Sequence, residues 1–137
     1  MKPLIFLALL IWQPLQACEC DELPKAKAAL EESEAVFTAK VVQIYNDHNG
    51  WKIKYFLEII HWWKGVIRKD IIIMGGTKCD FKFEENKDYL IYAAGEFEYS
   101  TTICTRTRLL KDAGDDLKVL GKGKEPPVKK VEKIKKK

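Results

Sequence analysis

The residues with the most chemical potential are Cys18, Glu19 and Cys20, which follow an apolar N-terminal stretch. If the chain is cut after Ala17, Cys18 becomes the first residue and carries a free α-amino group beside its thiol. Such a cysteine can form a disulfide bond, can accept a lipid, or can present its amine and carbonyl to a metal ion. The rest of the sequence bears on which of these three chemistries applies to Cys18.

Residues 1–17 have the organisation of a secretory signal peptide. A positive residue, Lys2, precedes an unbroken apolar run over residues 4–12, and the small residue Ala17 stands at the expected cut. The run is shorter than the roughly 20 residues that span a bilayer. We therefore expect a mature chain that begins at Cys18, is secreted to an extracellular or periplasmic location, and has no transmembrane segment.

Charge divides the rest of the chain into a body and a tail. Residues 122–137 contain eight lysines and two glutamates, a net charge of +6, whereas the remaining 121 residues carry 16 basic and 18 acidic side chains, a net charge of −2. The tail has no aromatic residue and contains Pro126-Pro127, so we expect it to be disordered. The body shows no basic patch interleaved with aromatic residues, which argues against nucleic-acid binding.

The tail has two interpretations. It is either a solvated segment that aids solubility, or a binding element for polyanions or anionic membrane surfaces. In the second case the lysines expected to bind are Lys129, Lys130, Lys133, Lys135, Lys136 and Lys137.

The four cysteines, at positions 18, 20, 79 and 104, predict two disulfide bonds, since an even count is typical of small exported domains. Zinc binding is disfavoured because the spacing of Cys18 and Cys20 is tighter than that of usual zinc ligands and no second close pair follows. Cysteines one residue apart are poorly placed to bond to each other. Each should reach Cys79 or Cys104, and spacing leaves both pairings open. Each bridge is worth about 4 kcal/mol, and together they make rigid a terminus that would otherwise fray.

The pattern of the body predicts a mainly β domain. We predict a short helix over residues 23–34, strands over 35–45, 51–60, 70–74 and 88–94, and a closing helix over 109–120. A change of apolar face at Val41-Val42 indicates a β-bulge, and residues 46–50 and 64–65 carry turn signals. Because no βαβ alternation is present, a closed or partly open antiparallel barrel of about five strands fits best.

Six short motifs together resemble the netrin-like (NTR) domain, and specifically the tissue inhibitor of metalloproteinases family and its short bacterial relatives. Singly each motif is weak, but they run in order over residues 18 to about 120, behind a signal peptide. The motifs are Cys18-Glu19-Cys20, Glu34-Ala35-Val36-Phe37, Trp63-Lys64-Gly65, Cys79-Asp80-Phe81, Tyr89-Leu90-Ile91-Tyr92-Ala93 and Cys104-Thr105-Arg106-Thr107.

The resemblance implies an OB-fold-like five-stranded antiparallel barrel with flanking short helices over residues 18–121, and the disulfides Cys18–Cys79 and Cys20–Cys104. It also implies a function. In the family, the first cysteine's amine and carbonyl chelate the catalytic zinc of a metalloproteinase, and the following residue enters the specificity pocket. The protease-binding residues would be Cys18, Glu19 and Cys20, with the zinc supplied by the partner and no cofactor of the protein's own.

Two departures from the family pattern bear on this function. The specificity pocket of the target is usually apolar, and burying the unpaired carboxylate of Glu19 there costs several kcal/mol. The second domain of the animal inhibitors is also missing, and the lysine tail stands in its place.

Three other readings compete. Leu15-x-Ala17-Cys18 resembles a bacterial lipobox, and lipidation of Cys18 would consume its thiol and usually its amine. A netrin-like domain can also be a binding module that inhibits nothing, since fold does not imply function. An enzyme is the third class; it is disfavoured because only His48 and His61 are present and no Ser/His/Asp set, phosphate loop or HExxH motif occurs.

The intact mass of the protein from its native host tests the first of these alternatives. We expect a chain that starts at Cys18, carries no acyl group, and exposes four thiols to alkylation only after reduction. A mass increased by diacylglycerol and an acyl chain would instead establish a lipid anchor, and would exclude metal chelation through Cys18.

Overall fold

The computed structural model describes residues 18–47, 49, 52–66 and 68–128. The predicted signal peptide, the tail lysines from Lys129 onward and His48 lie outside the described residues. Within them the chain is mainly β, with two short α-helices and one 3₁₀ turn. In chain order the elements are α1 (Ala26–Glu32), β1 (Ala35–Asn46), β2 (Ile53–Lys64), β3 (Asp70–Gly75), β4 (Asp88–Ala93), β5 (Arg108–Leu109), a 3₁₀ turn (Leu110–Asp112) and α2 (Gly114–Leu120).

The five strands form one antiparallel sheet in the order β3-β2-β1-β4-β5. This confirms the predicted fold class, with a correction to the barrel: no β3–β5 ladder closes the sheet among the described residues. Instead the loop after β4 reaches the β3 edge, where Met74 N donates to Tyr99 O at 2.9 Å. The loop can cross only because the long central strands coil.

The coiling comes from irregular pairing between β1 and β2. The bulge predicted in β1 is confirmed, since Val41 pairs with Leu57 and Gln43 with Phe56, which leaves Val42 as the extra residue. Two further register shifts lie nearer the other end of the pair, between Val36 and Phe37 and between Thr38 and Ala39. Each bulge increases the local right-handed twist, so the sheet wraps around its own apolar face.

The alternation of side chains along β1 creates two cores. Phe37, Ala39 and Val41 belong to the larger cluster on the concave face, together with Tyr55 and Leu57 of β2. The other face is covered by the helices, and there a smaller cluster joins Ala29 of α1, Val36, Leu90 and Tyr92 of the sheet, and Ala113. β4 is therefore buried on both faces.

The predicted closing helix over residues 109–120 is wrong in its first half. Arg108 and Leu109 form β5, because Leu109 pairs with Tyr89 at the edge of β4. A 3₁₀ turn follows, and α2 begins only at Gly114. Gly114, which lies in the middle of the predicted helix, thus stands at the start of the observed one. An edge position open beside β4 overrides the helical propensity of the local sequence.

The C-terminal segment packs against β2 beyond the predicted domain boundary at residue 121. Lys124 pairs with Trp62 by two backbone hydrogen bonds of 2.9 and 2.8 Å, and its ammonium lies 4.7 Å from the Trp62 ring centroid. The Trp63 indole N–H donates to Gly121 O at 3.1 Å. The first residues of the tail are consequently held on the body, and Trp62 and Trp63 have a packing role.

Gly65, in the turn after β2, is required by both its conformation and its surroundings. Its φ is +76°, and a Cβ placed there would lie 2.2 Å from the Glu34 carbonyl oxygen. We predict that Gly65→Ala lowers the free energy of unfolding by at least about 2 kcal/mol. The matched control is Gly114→Ala, where a Cβ meets nothing within 4 Å and the effect should stay within about 0.5 kcal/mol. Urea denaturation of both variants measures the difference; equal effects would contradict this role for Gly65.

Candidate functional site

The N-terminal strap, defined here as residues 18–24, is bonded covalently to two remote loops. Cys18 forms a disulfide with Cys79 and Cys20 with Cys104, with Cα–Cα distances of 5.6 and 5.1 Å. The bonds span 61 and 84 residues of sequence. Two disulfides were predicted from the cysteine count, and these pairs are the ones implied by the resemblance.

The two loops that receive the strap are also bonded to each other. Ile103 N donates to Cys79 O at 2.9 Å, and Phe81 N donates to Thr101 O at 2.9 Å. Asp80 and Thr102 form an isolated antiparallel bridge between these bonds. All four cysteines therefore belong to one unit of cross-linked backbone.

Short polar side chains shape each loop around its cysteine. Around Cys79, the Asp80 carboxylate accepts a hydrogen bond from Thr77 N at 2.8 Å, which closes a tight turn that contains the cysteine. Before Cys104, the Thr102 hydroxyl accepts from Cys104 N at 3.2 Å. These bonds explain why an aspartate and a threonine flank the two cysteines in the sequence.

The far end of the strap is held by Arg106. Its Nη1 donates to the carbonyl oxygen of Pro24 at 3.1 Å. The rest of the guanidinium forms a bidentate pair with Asp116 of α2, with Nε–Oδ2 and Nη2–Oδ1 distances of 2.8 and 2.5 Å. The Tyr92 hydroxyl donates to the same carboxylate at 2.7 Å. Arg106 thus connects the strap to α2, and the Asp116 carboxylate connects both to Tyr92 of β4.

Burial and hydrogen bonding act in opposite directions on Asp116, whose residue is 1% exposed. Burial alone would raise the pKa of its carboxyl, but the hydrogen bonds from Arg106 and Tyr92, with the Arg106 charge, outweigh burial and lower that pKa. Burial and the hydrogen bond to Asp116 raise the pKa of the Tyr92 hydroxyl. At neutral pH the network therefore holds an ionised carboxylate between a cation and a neutral phenol.

A cluster of threonine hydroxyls supports the loop that carries Cys104. The Thr101 hydroxyl donates to Tyr92 O at 2.7 Å and lies 2.8 Å from the Thr107 hydroxyl and 3.0 Å from the Thr105 hydroxyl. The Thr107 hydroxyl accepts from Tyr92 N at 3.0 Å. These bonds fasten the loop to the end of β4, beyond the residues of β4 that pair with β5.

Between its fixed points the strap faces solvent. Glu19 and Cys20 are exposed and Cys18 is half-buried. The Glu19 carbonyl oxygen lies 3.9 Å from Cys104 Sγ, which is a packing contact because a disulfide sulfur carries no hydrogen. The structure thus presents the Glu19 side chain outward from a rigid backbone.

Two exposed apolar side chains lie on the strap or next to a cysteine that holds it. Leu23 lies on the strap itself and is 42% exposed, and Ile103 directly precedes Cys104 and is 50% exposed. Neither residue was singled out from the sequence, because an apolar residue in a loop carries no signal of exposure until the surrounding backbone is placed.

Of the predicted binding residues, the structure brings Cys18, Glu19 and Cys20 together with Cys79 and Cys104, whereas the tail lysines lie outside the described residues. His61 is half-buried within β2, and its backbone N donates to the Thr38 hydroxyl at 3.1 Å. Among residues 18–47, 49, 52–66 and 68–128, no group of three or more His, Cys, Asp or Glu side chains could hold a metal ion. The role of Arg106 was missed; its only sequence signal was its place in the Cys104-Thr105-Arg106-Thr107 motif.

Comparisons with known proteins add no assignment. No protein-family model matches the chain, and no curated protein matches it. Within the part of the chain that the structure describes, none of the helices is long and apolar enough to cross a membrane.

Asp116→Asn should destabilise the protein in a pH-dependent way. At pH 7 the variant leaves Arg106 without its buried counter-ion, and we expect a loss of about 3 kcal/mol in the free energy of unfolding. Because the folded-state pKa of Asp116 is lowered, the ionised carboxylate stabilises the fold above its unfolded-state pKa near 4. That advantage disappears as the pH falls through the folded-state value.

Urea denaturation of wild type and variant at pH 7, 5, 4 and 3 measures this difference. The matched control is Asp115→Asn, one residue earlier on α2, whose side chain is 99% exposed. Its effect should stay within about 0.5 kcal/mol at every pH. A wild-type advantage over Asp116→Asn that is constant down to pH 3 would contradict the proposed charge state.

Proposed function

We propose that this protein is a secreted inhibitor of zinc metalloproteinases that resembles the tissue inhibitor of metalloproteinases family. In this proposal the amine and carbonyl of Cys18 chelate the partner's catalytic zinc. The observation that carries it is the first part of the N-terminal strap: Cys18 and Cys20 are each held by a disulfide, and Glu19 is exposed between them.

The chemistry of the chelation is simple. A catalytic zinc keeps one coordination position open for water. An α-amine and a carbonyl on one residue close a five-membered ring on the metal and displace that water. The α-amine of a chain terminus has a pKa near 7.7–8.0, so a useful fraction is neutral at physiological pH. This step requires that the signal peptide has been removed at Ala17.

Rigidity of the strap supports binding because it lowers the loss of conformational entropy when the strap enters a protease cleft. A flexible terminus would lose conformational freedom on entering a protease cleft, at about 1–2 kcal/mol for each ordered backbone residue. Here the disulfides hold Cys18 and Cys20, and Arg106 holds the carbonyl of Pro24. The strap is therefore ordered before any partner arrives, which improves affinity without a new contact.

Exposed side chains on and beside the strap supply contact surface. Leu23 and Ile103 are each about half exposed and would add apolar area around the chelating residue. Glu19 is the residue that would enter the specificity pocket. Its carboxylate suits a pocket that offers a cationic side chain and opposes an apolar one, since an unpaired charge is costly to bury.

The first experiment measures inhibition of a panel of zinc metalloproteinases by a protein that starts at Cys18. One additional alanine placed before Cys18 leaves both disulfides intact but removes the chelating α-amine from that residue. We expect the extension to weaken inhibition at least about 100-fold, which corresponds to about 2.7 kcal/mol. An alanine added after Lys137 is the control and should change nothing. Equal inhibition by all three proteins would refute the chelation mechanism.

A second comparison separates an inhibitor from a binding module that inhibits nothing. Glu19→Thr should strengthen inhibition of enzymes with apolar pockets, whereas Glu22→Thr, an exposed glutamate on the same strap, should have no effect. If neither the parent protein nor Glu19→Thr inhibits any protease of the panel, the strap is not an inhibitory site and the binding-module reading is favoured.

A further inference from the structure

A second surface, unrelated to the strap's chemistry, lies on the outer face of β2 and β3. It is a groove of about 940 Å³ with an apolar floor. We call it the β2–β3 groove and define its floor as Val42, Phe56, Ile72 and Met74. Val42 and Ile72 are 47% and 42% exposed, so this floor is apolar surface that the fold leaves uncovered.

The geometry of the strands explains why these side chains meet. Phe56 and Ile72 are cross-strand partners, and Met74 follows two residues later on the same face. The β1 bulge turns Val42 outward, next to the position where Gln43 pairs with Phe56. A contiguous apolar patch of this kind with a polar rim is typical of an interaction site.

Phe97 stands beside the groove as an apolar knob and is 91% exposed. The loop that carries it is closed by two Ala94–Ser100 hydrogen bonds of 2.9 Å. Gly95, with φ +105°, permits the tight turn, since a Cβ there would lie 2.0 Å from the Glu98 carbonyl oxygen. The bond from Met74 N to Tyr99 O ties the loop to the groove's edge. Phe97 is thus held outward by a defined backbone.

Charged residues of both signs surround the groove. The cations are Lys52, Lys54, Arg68 and Lys69, and the anions are Glu58, Asp70 and Glu98. Lys69 and Glu58 already lie 3.9 Å apart as an ion pair. Four cations against three anions disfavour the lysine tail of the same chain, and the mixture favours neither a strongly acidic nor a strongly basic foreign partner. A rim that carries both signs can place its cations opposite the anions of an identical rim.

We propose that the occupant of the β2–β3 groove is a second copy of this chain. In the resulting two-fold dimer, Phe97 of each copy enters the groove of the other. An interface of this kind requires one surface that carries both the knob and the hole, and the loop at residues 94–100 places Phe97 directly at the rim of its own groove. The proposal does not depend on the inhibitory function of the strap.

Sedimentation velocity of the exported, disulfide-bonded protein tests the dimer over roughly 1–500 µM, a range suited to a small interface. The weight-average mass should rise toward twice that of one chain. Phe97→Ser removes two aromatic anchors per dimer and should raise the dissociation constant of the dimer at least about 100-fold. Val119→Ser, on α2 and also more than half exposed, is the control and should associate like the wild type.

Mixing two defective variants tests reciprocity. Ile72→Lys should block the groove but keep the knob, and Phe97→Ser should keep the groove but remove the knob. Alone, each should be monomeric; mixed, they should form a heterodimer that retains one of the two knob-in-groove contacts. If Ile72→Lys fails to fold, as judged by circular dichroism, Val42→Lys replaces it as the groove variant.

Two results would overturn the proposal. One is a wild-type protein with the mass of a single chain at every concentration, which would leave the groove to a different partner. The other is a wild-type dimer that Phe97→Ser does not weaken, or a mixture of the two variants that gains no mass, since either places the dimer contact elsewhere.

Discussion

The disulfides Cys18–Cys79 and Cys20–Cys104 are the constraint on which the N-terminal strap and its proposed function depend. The strap, residues 18–24, lies outside the sheet and its helices, and such a segment frays unless it is tied down. Here two bonds to distant loops hold it, and a third attachment runs through Arg106 and the carbonyl of Pro24. Hydrogen bonds alone would leave the strap to open with the local backbone. The covalent bonds make its position a property of the whole fold.

The bonds can form only because the sheet coils. The loop after β3 and the loop after β4 belong to different parts of the chain, and they meet because the bulged β1–β2 pair wraps the sheet around its core. The backbone hydrogen bond from Ile103 N to Cys79 O joins the two loops. The Arg106–Asp116 pair then couples this end to α2, and the buried carboxylate is tolerated because a guanidinium and a phenol satisfy it.

One connection, the loop from Ala94 to Thr107, serves both proposed surfaces. Its first part displays Phe97 at the β2–β3 groove, and its last part contains Cys104 and Arg106 and anchors the strap. The two parts are held separately, one by the Ala94–Ser100 pair and the other by the threonine hydroxyls. The same segment therefore stabilises two surfaces of different chemistry, one proposed to bind a metal in a partner's cleft and the other proposed for apolar contact.

The sequence by itself determined the strands over residues 35–45, 70–74 and 88–94, the bulge at Val42 and the presence of two disulfides, because each leaves a local pattern of alternation or spacing. It did not determine β5, the late start of α2 or the role of Arg106. Leu109 becomes a strand because an edge of β4 is open to it, and Arg106 matters because Asp116 and Pro24 lie within its reach. Those partners are 10 and 82 residues away in the chain, and only folding decides which distant groups a side chain can touch.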